Sequence, residues 1–266
     1  MQELRHLSLE YLTICEPNQK AAAVRAMAAQ KQQLELDSVL KLDNAGYDIP
    51  GRPEKPILVD PTSVKRRAMH TVEGRAILIH ALAHIEFNAI NLALDAIWRF
   101  DGMPEAYYWD WLKIADEEAL HFSLLQQHLE SLGYQYGDFP AHNGLWDMVE
   151  RTQHSILARM ALVPRTLEAR GLDALPPIME RLEQVKDQAA IEILNIIYRD
   201  EIGHVEIGNR WFHYCCQQQN LEPIATYQNL SEEFRAPKLK GPLNVKARMA
   251  AGFTQAELDA LSAQVS

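Results

Sequence analysis

Four long stretches of the chain repeat apolar residues at helical spacing, and a carboxylate interrupts each stripe. Within 62–100 the stripe reads Ile79, Ala83, Glu86, Ile90, Ala93, Ile97, and within 104–133 it reads Trp111, Ala115, Glu118, Phe122, Leu125. Within 144–170 it is Leu157, Ala161, Pro164, Glu168, and within 177–218 it is Ala190, Leu194, Ile197, Glu201, His204, Gly208, Trp211. Pro104 and Pro177 suit first turns of helices, and Gly133 and Gly171 suit helix ends. The pattern predicts an all-α four-helix bundle over 62–221. An N-terminal extension (1–61) precedes it, with one helix over 18–43 and a connection marked by Gly51, Pro53, Pro56 and Pro61. A tail (222–266) follows, irregular until a short closing helix at 254–264.

Composition agrees with long helices, since 12 glycines are few for 266 residues and the 13 prolines gather near segment ends. The formal charge is −10, so the global field repels a polyanion and a nucleic-acid partner is not expected. The odd set Cys15, Cys215 and Cys216 lacks C-x-x-C spacing and fits a reducing compartment, the cytoplasm. The N-terminus has no signal-peptide pattern. The most apolar stretch, AILIHALAHIEFNAINLALDAIW, is broken by two histidines and a glutamate, so no membrane span is expected.

Ionised glutamates are rarely buried without a partner, because desolvating each costs several kcal/mol. Four inward-facing ones require a common counter-charge. On two helices histidine follows three residues later, as Glu118-Ala-Leu-His121 and Glu201-Ile-Gly-His204, so a carboxylate and an imidazole project from one face. Two lone glutamates, Glu86 and Glu168, with two Glu-x-x-His pairs are the inward set of di-iron and di-manganese carboxylate bundles. Two divalent ions would balance four carboxylates. Glu86 lies 32 residues before Glu118, and Glu168 lies 33 before Glu201, as expected of two hairpins that each supply half a site.

HALAHIEFNAI around Glu86, DWLKIADEEALHF around Glu118 and His121, ARMALVPRTLEARGLD around Glu168, YRDEIGHVEIGNRWF around Glu201 and His204, and the tail GPLNVKARMAAGF together resemble the ferritin-like superfamily. Within it they are most similar to the bacterial group catalogued as domain of unknown function 455. The resemblance covers nearly the whole chain and implies two metal ions, iron first and manganese or a mixed pair as alternatives. It provides no substrate.

Other residues near the motifs have plainer readings. His80 and His84 sit at poor offsets from Glu86 for direct ligation and read as supports of a metal ligand or as satisfied core histidines. Asp200 and Glu117 precede ligand glutamates and are candidates to accept the second N–H of a metal-bound imidazole. Tyr198, one turn before Glu201, reads as core packing or an electron relay, and Pro164 predicts a kink in the third helix. The basic stretch 234–248 reads as a solvated tail or an anion guide, and Cys215-Cys216 as structural. The functional expectation is an oxygen-activating oxidase or hydroxylase using dioxygen or peroxide, an electron donor and an organic substrate, a modified nucleoside being one candidate. Ferroxidase activity without an organic substrate, or catalase-like peroxide removal, is the alternative.

Overall fold

Capping side chains set where the chain becomes helical. In the computed structural model, which describes residues 2–44, 46–63 and 68–263, strand β1 (Gln2–Glu3) leads directly into helix α1 (Leu4–Leu12). Glu3 caps α1 by accepting from the His6 amide, and Glu16 caps α2 (Pro17–Ala29) by accepting from Asn18 and Gln19. After a single 3-10 turn, β2 (Leu34–Glu35) pairs in parallel with β1. Then follow α3 (Val72–Arg99), α4 (Glu105–Ser131), α5 (Gly144–Arg151) and α6 (Ile156–Leu162). A π-helical turn (Val163–Glu168) joins α6 to α7 (Ala169–Gln184), and α8 (Gln188–Gln218), α9 (Pro223–Glu233), α10 (Val245–Ala250) and α11 (Gln255–Ser262) complete an all-α protein.

Several boundaries differ from the sequence expectation. The helix over 18–43 ends at Ala29, and α1 precedes it. The helix expected from 62 begins at Val72 behind the Thr71 cap, with 64–67 outside the described residues. Helix α7 runs straight through Gly171 and contains Pro176 and Pro177 in its interior. The turn comes later, where Lys186 adopts φ 58° and Asp187 caps α8 through the Ala190 amide. Burial of Leu172, Leu175 and Leu182 explains the continuation, since each buried leucine outweighs the ~1 kcal/mol helix cost of one glycine. The tail is largely helical. Glu222 caps α9 ahead of Pro223, a start signal that the irregular reading passed over. The closing helix ends at Ser262, and 264 lies outside the described residues.

The chain divides into two compact units, Met1–Trp146 and Asp147–Ser266, the boundary falling within α5. In the first unit α3 packs along α4, with α1 on α3 and α2 on α4. Arg5, almost fully buried, donates to the carbonyls of Ile97 and Trp98, satisfying acceptors that the end of α3 leaves without helical donors. Helix α3 is long and apolar enough to cross a membrane, but 78% of its most apolar window is buried within the protein, as in a core helix.

In the second unit α6, the π turn and α7 pack along α8, α9 lies on α6 and α8, and α10 on α7 and α8. The tail repairs the backbone of α7. Pro176 has no N–H for the Leu172 carbonyl, and Asn244 Nδ2 donates to that oxygen at 3.2 Å. Arg248 is buried, donating to the Ala169 carbonyl and pairing with Asp173 at 2.6 Å. Thus one of the five basic residues of 234–248 is a structural clamp.

Candidate metal centre

Helices α3 and α4 bury every position of their predicted stripes, and with them the acids. Glu86 is 3% exposed, and Glu118 and His121 are fully buried. His121 Nδ1 lies 3.5 Å from Glu86 Oε2 and 3.4 Å from Glu118 Oε2, so one nitrogen and two carboxylate oxygens converge. One ligand atom from each of the three residues falls within 4.8 Å of the others. Burial and, after it, the neighbouring Glu118 carboxylate push Glu86 above the usual carboxylate range, to about 8. No described group donates to Glu86 Oε2 in normal hydrogen-bond geometry. Carboxylates facing each other and an imidazole in a dry surrounding are an unfavourable arrangement for metal-free protein and a suitable donor set for a divalent cation.

In the second unit the stripe of α8 is likewise buried. Glu201 is 7% exposed, His204 is fully buried, and His204 Nδ1 is 4.0 Å from Glu201 Oε2. Glu168 is 8% exposed and ends the π turn, which packs against α8. Where a kink is predicted at Pro164, the chain makes this wider turn: proline withholds the amide that would bond Met160, and the Thr166 hydroxyl donates to the Ala161 carbonyl at 2.8 Å. Gly208 makes room for it, since a Cβ there would stand 2.4 Å from Pro164 Cβ.

The flanking residues settle differently. His80 Nε2 accepts from the Gly137 amide at 2.9 Å, and His84 bonds the Tyr136 hydroxyl and the His142 carbonyl; burial lowers both pKa values to about 4. Both are core histidines; His84 has partners on both ring nitrogens, while His80 Nδ1 has none among the described residues. Asp200 forms an ion pair with Arg199 at 2.8 Å, and Glu117 one with Lys113 at 2.6 Å. The Tyr198 hydroxyl accepts from Asn244 and so ties α8 to the tail. Cys215 and Cys216 are buried, with thiol pKa values raised first by burial.

The chain is thus of the all-α class, and its described residues bring together Glu/His groups that could hold a metal ion. Within that class the chain belongs to the family described as Protein of unknown function (DUF455), whose model matches residues 13–259. A relative from Haemophilus influenzae, carried under the name "Uncharacterized protein", is 54% identical over 214 residues, covering 78% of this chain and 74% of that one. No solved structure matches.

Proposed function

We propose that this chain is a ferritin-like di-metal carboxylate protein whose ligands for two metal ions, iron first and manganese or a mixed pair second, are Glu86, Glu118 and His121 of one unit and Glu168, Glu201 and His204 of the other. The observation that carries the reading is the buried convergence of His121 Nδ1 with Glu86 and Glu118 oxygens, at 3.5 and 3.4 Å. Four buried carboxylates require a counter-charge of the size two divalent ions provide. Bound there, a redox-active metal pair supplies oxidising chemistry with dioxygen or peroxide as oxidant. The protein's own part is to hold the ligands, exclude water through the apolar stripes on either side, and keep a proton on the Glu86–Glu118 pair until metal displaces it.

We read the activity as that of an oxidase or hydroxylase on an organic substrate, supplied by an electron donor, in the cytoplasm, where the three free cysteines stay reduced. The test is single-turnover oxidation of ferrous-loaded protein by dioxygen, followed spectroscopically with and without added reductant. Repeated oxygen consumption only in the presence of reductant supports the oxidase reading. Oxidation of iron that then leaves the protein as ferric product favours a ferroxidase, and rapid peroxide dismutation by the manganese form favours peroxide removal.

A further inference from the structure

Arg165 lies within the π turn that ends at Glu168, and it is 2% exposed. A buried guanidinium needs its charge and its N–H donors met, or folding around it is unfavourable. Nη2 donates to Glu257 Oε1 of α11 at 2.6 Å, and Nη1 donates to Asn209 Oδ1 of α8. The rings of Phe253, Phe212 and Tyr227 lie 4.5, 4.9 and 5.3 Å from the cation, so α8, α9 and the connection from α10 to α11 each help to enclose it. Next in the chain, Thr166 Oγ1 is 2.9 Å from the Tyr227 hydroxyl. Pro164 interrupts the backbone ladder of the turn, so these side-chain ties take a larger share in fixing its path.

Glu257 sits at the centre of these ties and is itself 4% exposed. Its Oε1 also accepts from His213 of α8 at 2.8 Å, while Oε2 accepts from the Thr254 amide and hydroxyl at 2.9 and 2.8 Å, closing the capping box that starts α11. One carboxylate therefore both starts the last helix and anchors the π turn. Asn209 is shared in the same way: its oxygen takes Arg165, and its Nδ2 donates at 2.7 Å to the carbonyl of Ala251, where α10 ends. Gly208, one turn after His204, leaves the space that Pro164 occupies. The stretch of α8 next to Glu201 and His204 is thus where the turn and the tail are both held in register.

We propose that Glu257 and Arg165 are positioning residues for Glu168: docking of α11 sets the π turn, and through it the affinity of the second unit for its metal ion. The inference rests on the di-metal reading and adds to it a control by the tail. Neither side chain ligates metal; both act through the backbone that delivers Glu168. Coupling of this kind is reciprocal, so metal held by Glu168, Glu201 and His204 must in turn tighten α11.

Manganous ion can be titrated into the metal-free full chain, with free ion read by its EPR signal and folding by circular dichroism. Glu257→Gln keeps the size and the acceptor but drops the charge that holds Arg165; it should weaken one of the two ions about tenfold and leave the other within about twofold. Arg165→Met combined with Glu257→Gln removes both charges together, so no unpaired buried ion opposes folding, and it should weaken the same ion at least as much. At saturating manganese, amide exchange across α11 should slow at least about threefold in the wild type and stay unchanged in the double variant, while α8 slows in both. A role in tail stability alone would lower melting temperatures without moving either affinity. Unchanged affinity for both ions in the double variant, equal weakening of both ions, or α11 exchange indifferent to manganese in the wild type would overturn the positioning role. A wild type that takes up neither manganous nor ferrous ion would overturn the di-metal reading itself, and this inference with it.

Discussion

Glu118 is fully buried beside Glu86 and 3.4 Å from an imidazole nitrogen, an arrangement that costs stability unless a cation occupies it. Glu118→Gln should therefore act in opposite directions in the two forms. Metal-free protein should gain about 1–3 kcal/mol, because a neutral amide replaces a desolvated carboxylate, while the metal-loaded form should lose the stabilisation that bound metal gives. Thermal melting of both forms, with and without metal, checks this; a variant less stable in the metal-free form would mean that Glu118 is structural. Glu257 tests a different residue-scale claim. Burial raises its pKa, but hydrogen bonds from His213 and Thr254 and the Arg165 charge outweigh that and hold it at about 2. A depressed carboxylate contributes stability that is complete above the unfolded value near 4.5 and is lost as pH falls toward 2, on the order of 3 kcal/mol in all. Melting temperature measured from pH 5 to pH 3 should fall less steeply in Glu257→Gln than in the wild type. The inward-facing acids and histidines of α3, α4 and α8 could be read from the sequence because helical spacing, and Glu-x-x-His spacing in particular, is local chemistry on one helix face. Buried Arg165, which donates to both Asn209 and Glu257, could not, because the cluster joins residues distant in sequence and no local pattern marks it.

Helix periodicity located the buried faces well and the helix ends less well. The stripes of α3, α4 and α8 are buried at every predicted position, since a 3.6-residue period follows directly from which side chains must leave water. The ends depend on competition between local signals and packing. Gly171 signals a stop, yet the buried leucines that follow it carry α7 onward, Asn244 satisfies the Leu172 carbonyl that Pro176 leaves open, and Arg248 adds a bond to the Ala169 carbonyl. A pair of glycine substitutions separates these effects. Gly171→Ala meets nothing within 4 Å and should stabilise by about 0.5–1 kcal/mol through helix propensity alone. Gly208→Ala gains the same propensity but places its Cβ 2.4 Å from Pro164 Cβ. An overpacking cost of about 1–3 kcal/mol should win, lowering the melting temperature and disturbing the π turn that positions Glu168. Denaturant melts of the two variants should shift in opposite directions; a stabilised Gly208→Ala would show that the turn moves aside without cost.

Each unit of the molecule contains one hairpin with its own lone glutamate and Glu-x-x-His pair, so the matched spacing of 32 and 33 residues in the sequence corresponds to two separately packed halves. Around those hairpins lie elements that a bare bundle lacks: α1 and α2 on α3 and α4, and α9 and α10 on α6, α7 and α8. They cover faces that a storage shell would need for packing between subunits. Offered a large aerobic excess of ferrous iron, the protein should stop near about two ions per chain. Soluble particles with hundreds of irons per molecule, read by elemental analysis of a sizing-column fraction, would make storage the function. The most direct test of the account is the metal content of the protein isolated from its native host, alongside Glu118→Ala and Glu201→Ala. The account predicts about two ions per chain in the wild type and one or none in each variant, one from each unit. A wild-type protein that holds no metal even after reconstitution, or two variants with unchanged content, would contradict it.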